Sequence, residues 1–219
     1  MMKRGVIFDM DGTLVDTEKI YRRAWIETAD FFGVERKPDL AVAMSGSGVK
    51  QMPSILRRFY TAEEVDADKY IAKVFERVVV EAEKNLEVKS GVEEILQYFF
   101  ENKIPMAVAS SSETFIIEKR VKKLGWEKYF SVLVGGDQIK NSKPAPDIFI
   151  LAAEKIKIAP TDCYVFEDSF NGVRAGAAAK CSTIMVIDCA EPTEEIKNLC
   201  TAVFDNMLDA LNAIKRGEV

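Results

Sequence analysis

The sequence predicts an α/β fold, in which a parallel sheet of five or more strands is flanked by helices and carries an inserted helical domain. Short apolar runs alternate along the chain with longer stretches of helical periodicity, the order that builds a parallel sheet covered by helices on both faces. One interval of about 70 residues breaks this alternation because it contains helical patterns and no strand, and it is too long for a single crossover. The chain has 219 residues, 48% hydrophobic and 30% charged, which is an ordinary composition for a folded protein.

Five apolar runs account for the predicted strands. They are short, rich in valine and isoleucine, and bounded by turn residues, as expected for strands that are covered on both faces. In chain order they are Gly5–Phe8, Met106–Ala109, Val132–Val134, Cys163–Phe166 and Thr183–Ile187. The helical patterns that lie between the later strands are Gly91–Phe100, Glu113–Leu124, Pro146–Ile156 and Asn171–Ala179.

The helix predicted over 113–124 illustrates the reasoning. Ile117, Val121 and Leu124 are spaced so that they share one apolar face. Gly125 follows and is predicted to end the helix. Basic residues crowd the last turns, where the helix dipole favours cations. They are Lys119, Arg120, Lys122 and Lys123.

The interval from about Asp16 to Asn85 is predicted to form a separate helical domain inserted after the first strand. Its first helix has an apolar stripe and is expected to end at Gly33. The stripe consists of Ala24, Trp25, Ala29 and Phe32. Further helices are predicted over Met52–Tyr60 and Ala62–Lys84, after a loop marked by Gly46 and Gly48. The predicted domains are therefore a core of residues 1–15 and 86–219 and a helical cap of residues 16–85.

Composition excludes several classes of function. The net charge of −5 and the pI of about 5.1 argue against nucleic-acid binding. The chain contains no histidine, which excludes Ser-His-Asp and Cys-His nucleophile systems and histidine-ligated metal sites. The four cysteines lack metal-site spacing and are expected to be small apolar residues in a reduced compartment. The apolar run at the N-terminus is shorter than a signal peptide needs and no stretch is long enough to span a membrane, so we expect a cytoplasmic protein.

The most informative motif follows the first predicted strand and reads Asp9-Met10-Asp11-Gly12-Thr13. In a regular strand Asp9 and Asp11 point to the same face, where two carboxylates repel each other unless a positive charge lies between them. Gly12 permits a tight turn, and ligand sites in parallel sheets gather at the carboxyl ends of strands. A turn carrying two solvated aspartates is the alternative for this motif alone.

Polar residues also follow the other predicted strands. They are Ser110-Ser111-Ser112, Lys143-Pro144 and Glu167-Asp168-Ser169. Each alone has an ordinary explanation: a capping box of Ser110 with Glu113, a surface lysine before a helix, and a helix N-cap. Together they combine carboxylates, which prefer a hard cation such as Mg²⁺, with a lysine, hydroxyls and amides, which suit phosphate oxygens.

In this order the motifs resemble those of the haloacid dehalogenase superfamily, and more narrowly the β-phosphoglucomutase-like phosphatases, whose helical cap follows the first motif. Asp16-Thr17-Glu18, Lys143-Pro144-Ala145-Pro146 and Asn171-Gly172-Val173 extend the resemblance over nearly the whole chain. The resemblance implies a Rossmann-like core and phosphoryl chemistry that requires Mg²⁺. Asp11 favours phosphoryl chemistry over dehalogenation, because dehalogenases of the superfamily lack this second aspartate.

The resemblance implies a role for each motif residue. Asp9 would be the nucleophile that forms an aspartyl phosphate, and Asp11 would be the general acid and then the general base. Asp168 would bind Mg²⁺ together with Asp9 and the backbone carbonyl of Asp11, and Glu167 would bind the metal directly or through water.

The remaining motif residues would contact the substrate. Ser110 and its neighbour Ser111 would hold phosphoryl oxygens, and Lys143 would neutralise the nucleophile and the phosphate. Catalysis would rest mainly on positioning and electrostatics, since a carboxylate must approach a dianionic phosphate. Closure of a cap would expel water and strengthen these charges.

The cap departs from the pattern of the mutases. Those enzymes carry a histidine where this chain has Tyr21, and they place cations around a loop that here is Met44-Ser45-Gly46-Ser47-Gly48-Val49. Lys50 is either a partial substitute for those cations or a solvated lysine. Mutase activity is therefore less expected than hydrolysis.

Three further cap residues have two interpretations each. Glu18 and Arg22 either face the site, which we favour slightly for Glu18 as a substrate-binding residue, or form an exposed pair four residues apart. Trp25 is expected in the core rather than stacked on a ligand.

Three functions remain open from the sequence. The first is a Mg²⁺-dependent phosphatase of a small phosphorylated metabolite such as a sugar phosphate. The second is an isomerase of the β-phosphoglucomutase type, and the third is a non-enzymatic module that binds phosphate compounds. We expect a monomer in each case.

Overall fold

A computed structural model of the chain describes residues 2–44, 49–188 and 190–219. The chain divides into two compact units, one formed by Met1–Val15 and Val88–Val219 and the other by Asp16–Glu87. The second division falls two residues after the one predicted from sequence. Val88 belongs to the first unit because it pairs with Val15 in an antiparallel bridge, and the adjacent Lys89 amide donates to the Leu14 carbonyl at 3.1 Å.

The first unit is built on a six-stranded parallel sheet with the strand order β3-β2-β1-β4-β5-β6. The strands are β1 Gly5–Phe8, β2 Met106–Ala109, β3 Phe130–Val134, β4 Cys163–Glu167, β5 Ser182–Val186 and β6 Ala202–Phe204. The five predicted strands are all present, which confirms the α/β class. The sequence did not single out β6, which has three half-buried residues at the edge of the sheet.

Helices cover the sheet of the first unit and make up the second unit. Those of the second unit are α1 Glu18–Phe32, α2 Pro38–Met44, α3 Met52–Leu56 and α4 Ala67–Lys84. Those of the first unit are α5 Val92–Glu101, α6 Thr114–Lys123, α7 Asp147–Lys155, α8 Phe170–Ala178, α9 Glu194–Leu199 and α10 Met207–Arg216. The four helices predicted for the core, α5 to α8, each begin and end within one residue of the predicted bounds.

The position of β1 decides where a site can form. β1 lies between β2 and β4, so the chain leaves it toward one side of the sheet and later returns on the other. A cleft outside the carboxyl ends of the strands is expected where the strand order reverses in this way. Every residue of β1 is buried, and the ring of Phe8 stacks on Phe166 of β4 with a centroid distance of 4.9 Å. The segment that follows β1 therefore starts from a rigid base.

The helical unit corrects two of the predicted helix bounds. The predicted helix over Ala62–Lys84 begins five residues later, because the Asp66 side chain accepts from the Lys69 amide at 3.0 Å and caps α4. α3 ends at Leu56, four residues before the predicted end at Tyr60. α1 ends as predicted, with Gly33 in the left-handed region at φ 67°.

Trp25 lies in the apolar core of the helical unit, as expected. Its side chain is buried and stacks on Tyr70, and the Tyr70 hydroxyl donates to the Trp25 carbonyl at 2.8 Å. Tyr21, at the position of the mutase histidine, packs nearly perpendicular to the ring of Phe75 with a centroid distance of 6.3 Å. Residues 45–48 of the loop predicted around Gly46 and Gly48 lie outside the described residues, as does the side chain of Lys50.

The structure also bears on the cysteines and on membrane insertion. Cys163, Cys181 and Cys200 are free thiols, and Cys189 lies outside the described residues. Across the part of the chain that the structure describes, every helix is too short or too polar to cross a bilayer.

Candidate active site

The motif residues of the first unit come together at the carboxyl edge of the sheet. Asp9 follows β1, Ser110 follows β2 and Asp168 follows β4, and these three strands are neighbours. Backbone hydrogen bonds extend the pairing by one residue: the Asp9 amide donates to the Phe166 carbonyl at 3.0 Å, and the Ser110 amide donates to the Val134 carbonyl at 3.0 Å. Asp9 and Ser110 are thus held by the sheet itself.

Lys143 joins two of the predicted carboxylates. Its Nζ lies 2.5 Å from Asp9 Oδ1 and 2.6 Å from Glu167 Oε1, and it also donates to the Ala109 carbonyl at 3.3 Å. All three charged side chains are at least nine-tenths buried, with exposures of 6% for Lys143, 8% for Asp9 and 1% for Glu167. Lys143 is therefore not the surface lysine of the alternative interpretation.

Protein donors engage the second oxygen of Glu167. Glu167 Oε2 accepts from the amides of Asp168 and Ser169 at 3.0 and 2.8 Å and from the Ser169 hydroxyl at 3.0 Å. The Ser169 hydroxyl in turn accepts from the Gly172 amide at 3.0 Å and caps α8. The N-cap of α8 is thus Ser169, and neither Glu167 nor Asp168 caps the helix.

The first and fourth motifs are in direct contact. The Thr13 hydroxyl donates to Asp168 Oδ1 at 2.8 Å. Gly12 has a φ of 84°, in the left-handed region, and a Cβ at this position would lie 2.3 Å from Asp168 Oδ2. Both features require glycine at position 12. The turn after β1 therefore approaches the Asp168 carboxylate closely enough for both motifs to contact one ligand.

Negative charge is in excess among the buried groups. Asp9 and Glu167 both pair with the Lys143 ammonium, and Asp168 adds a third carboxylate whose charge interacts with those of Glu167 and Asp9. Burial raises the pKa of Asp9 to about 8, with Lys143 lowering it and the charges of Glu167 and Asp11 raising it further. Burial also raises the pKa of Asp168, and the charges of Glu167 and Asp9 add to this effect. For Lys143, burial lowers the pKa, but Asp9 and Glu167 outweigh it, so the pKa is raised overall.

This charge excess and the oxygen donors fit a hard divalent cation. Within residues 2–44, 49–188 and 190–219, no three acidic or cysteine side chains form a closed ligand set by themselves. Mg²⁺ does not require one, because it usually keeps several waters and takes only one or two carboxylates plus phosphate oxygens from its site. The predicted set of Asp9, Asp168 and a backbone carbonyl is of this kind.

A second cluster surrounds the Asp11 carboxylate. Arg120 Nη1 donates to Asp11 Oδ1 at 2.6 Å, and the hydroxyls of Ser110 and Ser112 donate to Asp11 Oδ2 at 3.2 and 2.8 Å. The Ser110 hydroxyl also accepts from the Ser112 amide at 3.1 Å. α6 begins at Thr114 with Glu113 in the cap position, so Ser110 lies too far upstream to form the capping box. Its hydroxyl belongs to the site instead.

Two predicted substrate-binding residues remain untested by this geometry. Ser111 is exposed, whereas its neighbours on either side direct their hydroxyls to Asp11. Glu18 is half-buried in the first turn of α1 in the helical unit, and Arg22 on the next turn is exposed.

Sequence reasoning missed three site residues. Thr13 lies in the first motif, but no role was assigned to it from the sequence. Ser112 lies in the run of three serines, and no role of its own was predicted for it. Arg120 was attributed to the helix dipole, yet it is 6% exposed and bonded to Asp11. One signal was present: Arg120 is three residues after Ile117 and four before Leu124, so a charge interrupts the apolar face of α6.

The close approach of Gly172 to Glu167 requires a glycine in the segment Asn171-Gly172-Val173. A Cβ at this position would lie 1.7 Å from Glu167 Oε1 and 1.8 Å from Glu167 Cδ. We predict that Gly172→Ala lowers the free energy of unfolding by about 1–3 kcal/mol, the usual cost of overpacking, because Glu167 is held by Lys143 and Ser169 and cannot move aside freely. Urea unfolding checks this. Gly172→Ala combined with Glu167→Asp, which shortens the opposing side chain, should recover part of the loss, and equal stability of Gly172→Ala and wild type would contradict the prediction.

Comparisons with known proteins agree on one family. Residues 3–180 match the model of the haloacid dehalogenase-like hydrolases. The fructose-1-phosphate phosphatase YqaB of Escherichia coli (strain K12) is 35% identical over 179 residues, covering 80% of this chain and 92% of that protein. A phosphorylated carbohydrates phosphatase of Thermotoga maritima is 34% identical over 174 residues, covering 80% of each chain. A crystal structure from Thermotoga maritima that carries the name beta-phosphoglucomutase as a provisional assignment aligns with a TM-score of 0.80 and 30% identity, covering 99% of both chains.

Proposed function

Because the chain belongs to the haloacid dehalogenase-like hydrolase family, we propose that it is a metal-dependent phosphatase of small phosphorylated sugars. One observation carries the proposal: a buried aspartate at the end of the central strand β1 is paired with a buried lysine beside two further carboxylates. The sugar class follows from relatives named as phosphatases of fructose 1-phosphate and of phosphorylated carbohydrates.

Phosphatases of this family generally use Mg²⁺, and the excess of buried carboxylates supports the same ion here. Asp9, Asp168 and the backbone carbonyl of Asp11 would hold it, with Glu167 bound directly or through water. When bound, the ion supplies positive charge that offsets the repulsion between the Asp9 carboxylate and a dianionic phosphate.

Asp9 acts as the nucleophile. One carboxylate oxygen of Asp9 forms a bond to phosphorus while the bond between phosphorus and the leaving oxygen breaks, and Asp11 gives its proton to that oxygen. Water then attacks the phosphorus of the aspartyl phosphate and gives a proton to Asp11, which releases phosphate and restores Asp9. The covalent intermediate divides one difficult hydrolysis into two easier steps.

Lys143 and the serine loop position the phosphoryl group. Lys143 stays charged beside Asp9, so it offsets the negative charge of both the nucleophile and the incoming phosphate. The Ser110 hydroxyl can rotate from Asp11 toward a phosphoryl oxygen, since a hydroxyl turns about its C–O bond. Ser111 would add a second contact to the same group.

The helical unit Asp16–Glu87 serves as the cap that selects the substrate. This role rests on the family resemblance and on the position of the unit in the chain, directly after the first motif. Glu18 is the proposed substrate contact of the cap.

Isomerase activity is the second candidate because of the structure that carries the beta-phosphoglucomutase name. At the position where mutases have a histidine, this chain has Tyr21, which packs against Phe75. The replacement of that histidine favours hydrolysis over isomerisation. Incubation with β-glucose 1-phosphate separates the two: a phosphatase releases phosphate, whereas a mutase yields glucose 6-phosphate without it.

The proposed function predicts phosphate release that depends on a divalent cation. The purified protein is incubated with 4-nitrophenyl phosphate and a panel of sugar phosphates, phosphoglycolate, nucleotides and pyrophosphate, in the presence of Mg²⁺. We expect turnover of at least one sugar phosphate, its loss on addition of EDTA, and its return on addition of excess Mg²⁺. Absence of turnover on the whole panel with Mg²⁺ present, or full turnover in EDTA, would overturn the proposal.

Two expectations about the cellular context stay predictions. We propose a cytoplasmic monomer whose partners are small metabolites rather than nucleic acids or membranes. Size-exclusion chromatography with light scattering tests the oligomeric state.

A further inference from the structure

We propose that Arg120 is a positioning residue for Asp11, which keeps the acid–base carboxylate oriented while the substrate is bound. The inference rests on the proposed function, because it concerns the residue that gives a proton to the leaving group. It assigns a task to a side chain outside the family motifs quoted above.

The location of Arg120 requires an explanation. Its side chain is 7% exposed and projects from α6, on the face that also buries Ile117 and Val121. Removing a charged group from water costs several kcal/mol, and a buried ion pair often adds nothing to stability compared with apolar residues of similar size. Stability alone is therefore a poor reason for an arginine at this position.

The hydrogen bonds around Asp11 indicate orientation. Arg120 holds Oδ1 at 2.6 Å, while Ser110 and Ser112 hold Oδ2 at 3.2 and 2.8 Å. If Ser110 turns to the phosphoryl group, Oδ2 keeps Ser112 and Oδ1 keeps Arg120. Arg120 thus supplies the contact that prevents the carboxylate from rotating when the substrate takes one of the serine donors.

Arginine suits this task chemically. During the first step Asp11 loses its proton to the leaving oxygen, and the negative charge that forms on Asp11 faces the guanidinium. Arginine stays charged at all relevant pH values, so it neither gives a proton to Asp11 nor takes one from it. Arg120 therefore acts through Asp11 and not on the phosphoryl group.

A pair of substrates with different leaving groups tests this role. Expulsion of an alkoxide from a sugar phosphate needs a proton, whereas expulsion of 4-nitrophenolate does not. For Arg120→Met we expect kcat for a sugar phosphate to fall about 10²-fold, the lower range of general acid catalysis, and kcat for 4-nitrophenyl phosphate to stay within about threefold of wild type. In an Asp11→Asn background, Arg120→Met should cause no further loss on the sugar phosphate.

Two further variants keep the test decisive. Lys122→Met removes a charge from an exposed position of the same helix and serves as the matched control. Arg120→Lys retains the charge and is expected to recover part of kcat for the sugar phosphate, and it replaces Arg120→Met if that variant does not fold. Thermal unfolding confirms that each variant compared is folded.

Three outcomes would overturn the inference. Equal losses on both substrates would make Arg120 a structural or phosphoryl-binding residue, and additive losses in the Asp11→Asn background would show that it acts independently of Asp11. Wild-type kinetics in Arg120→Met would exclude any role. Failure of the proposed function is distinguishable from these, because the wild-type protein itself would then release no phosphate.

Discussion

Asp9→Asn is expected to abolish phosphate release and, at the same time, to raise the melting temperature of the protein in the absence of metal. Activity falls because an amide cannot form the acyl phosphate, and loss of a nucleophile typically costs about 10⁴-fold or more in kcat. Stability rises because the substitution removes one of the two buried carboxylates that share Lys143.

The gain in stability follows from the charges around Asp9. Burial together with the charges of Glu167 and Asp11 raises its pKa despite the contact with Lys143. The ionised form of Asp9 is therefore disfavoured in the folded protein, and the neutral amide is not. In a chain of this size, each kcal/mol of repulsion relieved raises the melting temperature by about 2–4 °C.

Calorimetry in EDTA and phosphate-release assays in Mg²⁺ measure the two effects separately. Asp205→Asn is the matched control, since Asp205 is exposed and follows the edge strand β6, which β5 separates from β4. A variant that is inactive and clearly less stable than wild type would mean that Asp9 has a structural role instead. A variant with normal activity would remove the nucleophile from the proposed mechanism.

The sheet was readable from the sequence because burial on both faces leaves a simple signal. A parallel strand such as Gly5–Phe8 must be apolar throughout, and the polar residue that follows it marks the edge where a site can form. The short edge strand β6 lacks this signal, since its residues are only half-buried. The start of α4 was predicted too early because the periodicity continues across Asp66, whose capping role depends on local backbone geometry.

The site was predicted less completely than the sheet. Residues in motifs could be assigned by pattern, and the structure brings Asp9, Lys143, Glu167 and Ser110 to one edge of the sheet. The partners of Asp11 were not predictable, since a helix pattern shows that Arg120 faces inward but does not show which carboxylate it meets. Loop serines present the same difficulty, because the path of the backbone decides which hydroxyls turn toward Asp11.

Lys143→Met is the substitution for which we expect the largest loss of stability, together with a large loss of activity. It leaves the buried Asp9 and Glu167 carboxylates without their shared ion-pair partner, and breaking a buried ion pair in this way costs about 3–5 kcal/mol of the free energy of unfolding. Phosphate release should fall by at least about 10³-fold, because the substitution removes the positive charge that offsets the negative charges of the nucleophile and the phosphate. Urea unfolding in EDTA and steady-state kinetics in Mg²⁺ measure these losses.

The double variant Asp9→Asn with Lys143→Met separates charge balance from packing. If the loss in Lys143→Met comes from unbalanced carboxylates, Asp9→Asn raises the free energy of unfolding more in the Lys143→Met background than in the wild type, so the two substitutions are not additive. Activity stays absent because the nucleophile is gone. Lys140→Met, at an exposed lysine three positions earlier, should change neither quantity. An equal effect of Asp9→Asn on stability in the two backgrounds would show that Lys143 stabilises the fold by packing, for example against the Phe149 ring at 4.9 Å, and not by offsetting the charge of the buried carboxylates.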